Sequence, residues 1–75
     1  MALALIRLRT ARTMRGLSIA ALAKKASVAQ RTVWMLESGQ IPEPRAKTIY
    51  KIATALGRDP REISEFHGTL GLRAD

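Results

Sequence analysis

The sequence has no cysteine and a single histidine, His67. The first absence removes disulfide staples, thiolate nucleophiles and cysteine zinc sites together. The second leaves no histidine cage for a metal ion. Aromatic residues number three: Trp34, Tyr50 and Phe66. No apolar run approaches the roughly 18 residues that span a bilayer. There is no strand-like alternation, internal repeat or low-complexity segment. No nucleophile–base pair, metal set or phosphate loop is present, so neither an enzyme nor a cofactor is expected. The most telling absence is of acids. Residues 1–36 contain Arg7, Arg9, Arg12, Arg15, Lys24, Lys25 and Arg31 but no Asp or Glu.

What is present fits one small domain. Seventy-five residues, 47% of them apolar, are too few for two domains and too apolar for a disordered tail. A chain of this size hides only about 60% of the surface its unfolded form exposes. The net charge of +7 sits wholly in the first half, because residues 37–75 hold six bases and six acids. A surface polarised in this way attracts a polyanion: nucleic acid first, anionic membrane second. Basic domains without such a partner are also common. The Arg-rich, acid-free segment from Met1 to Arg15 loosely resembles an organellar transit peptide. It reads better as a helix that the rest of the chain needs. A secretory signal fits worse, since the apolar run Ala2 to Ile6 is short and its arginines follow it.

Gly16, Gly39 and Gly57 each close a helix-like stretch. Ser18 and Asp59 each precede one as an N-cap, and Pro60 follows Asp59 at the first helical position. Pro42 and Pro44 set an extended loop from Ile41 to Pro44. An all-α, five-helix chain results. The first helix is predicted over about Leu3 to Arg15, with Ala4, Leu8 and Ala11 on its apolar side and Leu5 beside them. The second runs from about Ile19 to Ala26, with Leu22, Ala23 and Ala26 inward. The third runs from about Gln30 to Ser38, with Val33 and Leu36 inward. The fourth runs from about Pro44 to Leu56, with Ile49, Ile52, Ala53 and Leu56 on one stripe. The fifth is short, Pro60 to about Phe66. The expected domain is 3–66, followed by a tail, 67–75, that docks or forms a dimer contact.

The connection between the second and third helices is specific. Only Ser27, Val28 and Ala29 separate them, so the two helices must cross steeply. Ala23 is small where the crossing helix approaches, Val28 plugs the corner, and Val33 and Leu36 anchor the third helix. That is the helix-turn-helix pattern.

From Leu8 to Gly39 the chain resembles the Xre/Cro family of phage-repressor-like helix-turn-helix proteins. The matching pieces are Arg12, RGLS at 15–18, LA at 22–23, V-x-Q at 28–30 and LE-x-G at 36–39. The proline loop, IATALG at 52–57 and Asp59-Pro60 extend the match to about Phe66. The resemblance implies a lambda-repressor-like DNA-binding fold whose third helix lies in the major groove. It implies base reading by Gln30, Arg31 and Met35. A glutamine amide suits adenine, an arginine suits guanine, and a methionine offers apolar contact to a thymine methyl. Thr32 and Trp34 flank that face, and Arg45 matches a position near phosphate or the minor groove. Arg12 and Glu37 match a pair that links the first and third helices. Three positions depart from the family. Ile19 replaces a glutamine at the start of the second helix. Ser27 replaces the turn glycine. Ala29 replaces the Ser or Thr that caps the third helix.

Several residues carry a plainer reading as well. Trp34 packs on the rim, touches DNA or meets a second copy. Lys24 and Lys25 are a solvated face or phosphate contacts, and Arg7 and Arg9 stand the same way. Tyr50 sits at the core edge and His67 in a solvated tail. The leading expectation is a sequence-specific, double-stranded DNA-binding transcriptional regulator. It is expected to act as a homodimer on a two-fold operator, with Ile63, Phe66, Leu70 and Leu72 as dimer-contact candidates. The expected setting is prokaryotic or phage, cytoplasmic and nucleoid-associated. The alternative is an antitoxin or adaptor module with a toxin or regulatory protein as partner. A third reading, a basic helix on anionic lipid, would need Leu3 to Arg15 to fold only on a membrane.

Overall fold

The computed structural model describes residues 5–41 and 44–66. Among them, four α-helices run in chain order: α1 (Leu8–Met14), α2 (Ile19–Ala26), α3 (Gln30–Glu37) and α4 (Ala46–Leu56). Two 3-10 turns follow, Pro60–Glu62 and Ser64–Phe66. The all-helical fold is the one expected, with the fifth helical segment realised as this pair of turns.

Several helix ends have a local cause. Ser18 accepts a hydrogen bond from the Ala21 N–H at 3.0 Å and starts α2. Asp59 accepts from the Arg61 N–H, while Glu62 reaches back to the Asp59 N–H, so a capping box opens the first 3-10 turn. Ser38 returns its hydroxyl to the Trp34 carbonyl at 2.8 Å as α3 ends. Gly57, at φ 65° and ψ 33°, ends α4 in the left-handed region that only glycine enters without strain. Arg15 then donates through Nε to the Leu56 carbonyl at 2.7 Å, which ties the end of α1 to the end of α4.

The core draws on all four helices and on Ile63 and Phe66 after them. Leu8, Leu22, Val33, Leu36, Ile49, Ile52, Leu56, Ile63 and Phe66 are each under 2% exposed. At about 1.5–3 kcal/mol per buried aliphatic or aromatic side chain, this burial outweighs an uncapped helix end, worth about 1 kcal/mol. Thus α1, α3 and α4 form although none is capped by the side chain of its own N-cap residue.

Two parts of the sequence reading need correction. The first helix begins at Leu8, not Leu3. Ile6 is extended and pairs in parallel with Ile63: its N–H donates to the Glu62 carbonyl at 2.8 Å, and the Ser64 N–H donates to its carbonyl at 2.9 Å. The Leu8 N–H then finds the Glu65 carboxylate at 2.9 Å. Partners some 57 residues away therefore start α1. Leu5, expected beside the apolar stripe, is 52% exposed, and Ala4 lies outside the described residues. The second correction concerns dimer contacts. Ile63 and Phe66 are 0% exposed within one chain, so they offer no surface to a second copy. Leu70 and Leu72 lie outside the described residues, as do His67, Pro42 and Glu43.

Candidate nucleic-acid interface

The site is built outward from the turn between α2 and α3. Ser27 has φ 57° and ψ 44°, the left-handed conformation, and it is the single non-glycine residue with positive φ among those described. That conformation turns the chain sharply enough for the Val28 N–H to reach back to the Ala23 carbonyl at 2.9 Å. Ala23 is 2% exposed, so its small side chain lets α3 cross closely. Val28 is half-buried against the core. Val33 and Leu36 then face inward and fix the rotation of α3 about its axis.

That rotation decides which side chains are presented. Gln30 and Arg31 are exposed on the first turn, while Thr32 and Met35 are half-buried. Trp34 is 50% exposed and lies one turn beyond Gln30. A crevice joins Ile19, at the start of α2, to Gln30, Arg31 and Trp34. The indole also borders a second crevice, lined by Arg9, Arg12, Ile19, Glu37 and Ser38. Trp34 therefore stands as a ridge between two clefts with arginine on either side. No local periodicity signals that Ile19 shares a crevice with Trp34. In hindsight the departure at position 19 was the signal, since an apolar residue at a half-exposed helix start needs an apolar neighbour.

One ion pair holds α3 to α1. Arg12 Nε donates to Glu37 Oε2 at 2.6 Å and Nη2 to Oε1 at 3.0 Å, a two-pronged contact. Arg12 Nη1 donates to the Leu17 carbonyl at 2.8 Å, so the loop before α2 is held by the same guanidinium. Hydrogen bonding to Glu37 raises the Arg12 pKa above its already high ordinary value, against the opposing effect of burial. The contact orients three segments at once.

The remaining expected residues fall in two places. Arg45 is exposed at the N-cap of α4 and shares a cleft with Thr32, Leu36, Ile41, Pro44 and Thr48. It thus sits beside α3 on the face where Thr32 emerges. Lys24 and Lys25 are exposed on the last turn of α2, at the end away from Ile19. Lys25 is six positions on from Ile19, about 9 Å along the helix, and neither lysine lines the Gln30–Arg31 crevice. The α3 N-terminus has no side-chain cap, as expected from Ala29.

Among the described residues, no helix is long and apolar enough to cross a membrane, and no three metal-binding side chains converge. Compared with protein families, the chain matches the family model described as Helix-turn-helix over residues 8–63. Comparisons with curated proteins and with solved structures returned no match.

Proposed function

The chain belongs to the helix-turn-helix family, of the Xre/lambda-repressor-like kind, whose members are DNA-binding regulators, and from that premise we propose that it reads duplex DNA through α3. The observation that carries this reading is the presentation of α3. Val33 and Leu36 are buried while Arg31 stands exposed on the opposite side of the helix and Gln30 stands exposed on its flank, both on the first turn. Side chains at the start of such a helix enter the major groove first. Gln30 and Arg31 supply the amide and guanidinium that pair with base edges, and Met35 offers apolar contact. Thr32 and Trp34 flank the reading face, and Arg45 serves a neighbouring phosphate. Gly39 and Gln40 carry the chain past the end of α3 toward that arginine.

The protein acts as a transcriptional regulator that binds a two-fold operator as a homodimer. A lone domain of this size touches too few base pairs to choose one site in a genome. With Ile63 and Phe66 in the core, the tail residues Leu70 and Leu72 are the dimer-contact candidates that stand.

The test separates reading from steering. Sequences selected from a random duplex pool give the preferred site. Arg31→Ala is expected to weaken binding to that site by about 1–3 kcal/mol and to relax preference at one base pair. Gln30→Ala is expected to act likewise at an adjacent position. Arg45→Ala is expected to weaken preferred and scrambled duplexes alike and to make the salt dependence shallower by about one counterion. If Arg31→Ala and Arg45→Ala weaken both duplexes equally, α3 is not the reader.

A further inference from the structure

A second concave surface lies away from α3. It runs between the last turn of α2 and the outer side of α4, with a volume of about 680 Å³. Its floor is made by Ala26 and Ala55, 5% and 6% exposed, with the Tyr50 ring beside them. Tyr50 is 55% exposed, far more than a core-edge residue needs to be. Lys25, Lys47 and Lys51 line the groove and are all exposed. Lys47 and Lys51 stand one turn apart on α4, so their ammonium groups share one side.

Among the described residues the lysines lack counter-charges. Each described carboxylate is engaged elsewhere: Glu37 with Arg12, Asp59 with Arg61, Glu62 with Arg58, and Glu65 with the Leu8 N–H. Among the described residues, Lys25, Lys47 and Lys51 have no carboxylate partner. The groove thus pairs an apolar floor with charge of one sign.

We propose that this α2–α4 groove docks an acidic amphipathic segment of a partner protein. The combination selects the partner's chemistry. Aliphatic side chains gain chiefly from covering the half-exposed Tyr50 ring, with Ala26 and Ala55 as a nearly buried floor that lets them approach, and flanking carboxylates meet the three ammonium groups. Phosphate backbone needs only the charges and gains nothing from the floor. The geometry separates the surfaces too, since no residue of α3 lines the groove. Docking therefore leaves Gln30 and Arg31 free. The inference stands on the groove alone and holds whether or not α3 reads DNA.

The experiment uses the full chain, labelled for amide chemical-shift mapping. The probe is a short synthetic helix of glutamates bearing leucines one turn apart; a control peptide carries serines in their place. The expected result is that the leucine peptide shifts amides of the last turn of α2 and of α4 but not those of α3. Lys47→Glu with Lys51→Glu should weaken it by about tenfold or more, because like charges then face each other. Both positions are exposed, so the fold should persist, and circular dichroism checks that it does. The milder pair Lys47→Gln and Lys51→Gln should weaken the peptide less. The serine peptide should bind more weakly than the leucine peptide. Three results would each overturn the proposal: equal binding of the two peptides, peptide-induced shifts centred on α3, or a DNA duplex shifting the groove amides more than the peptide does.

Discussion

Truncating Glu37 to alanine should destabilise this small domain far more than loss of an ordinary surface ion pair. The pair is nearly buried, with side-chain exposures of 11% for Arg12 and 8% for Glu37. Glu37→Ala removes two hydrogen bonds to a charged donor, at 2.6 and 3.0 Å. Bonds to charged groups contribute about 1.5–3 kcal/mol each, and breaking a fully buried pair costs about 3–5 kcal/mol. Two features lower the figure here. The pair retains some exposure, and Arg12 keeps its bond to the Leu17 carbonyl at 2.8 Å. The expected loss is therefore about 2–4 kcal/mol, against about 0–1 kcal/mol for an exposed pair. A domain of this size holds only a few kcal/mol in total, so the variant should be substantially unfolded at room temperature. Thermal and urea melts followed by helical circular dichroism measure the loss. Arg12→Ala and the double variant complete a thermodynamic cycle, with a coupling energy of at least about 1 kcal/mol expected between contacting residues. A single-variant loss below about 1 kcal/mol, or no coupling, would refute the orienting role assigned to this pair.

Ser27→Gly should leave stability unchanged or raise it by up to about 1 kcal/mol, because Ser27 holds a left-handed conformation that glycine adopts without strain; a clear fall in melting temperature would contradict this. Asp59 gives a pH signature. Hydrogen bonds from the Arg61 side chain and backbone lower its pKa from 3.8 to about 2. A depressed folded-state pKa means that the contribution is fully present above the unfolded value and is lost as pH falls through the folded one. Acid melts should therefore show a stability loss that begins below about pH 4 and continues toward about 2, and Asp59→Asn, which can still cap, should flatten that segment. Trp34 is the sole tryptophan and is half exposed beside Arg31, so its emission should shift to the blue when the preferred duplex is added. An unchanged spectrum at saturating duplex would remove Trp34 from the interface.

Much of this protein was written locally. The boundaries of α2 and the start of α3 follow from Ser18, the apolar stripe Leu22, Ala23 and Ala26, and the three-residue turn, all of which act over one or two helical turns. Side chains that face inward are set by the same short periodicity, which is why Val33 and Leu36 were legible and Arg31 and Met35 could be assigned to the opposite side. The Arg12–Glu37 contact was readable only through the family pattern, since nothing local links residues 25 apart.

Tertiary structure decided the rest. Periodicity carried α1 back to Leu3, but the backbone of Ile6 pairs with residues 62–64 and Glu65 receives the Leu8 N–H. No window of neighbouring residues contains that competition between helix and bridge. Ile63 and Phe66 looked like spare apolar residues near the chain end, yet the packing of two 3-10 turns under α1 and α4 buries them completely. The meeting of Ile19 with Trp34 and of Lys25 with Lys47 and Lys51 likewise depends on how helices cross. Short-range sequence fixes what each helix presents; only the crossing of helices decides which presented faces share a cleft.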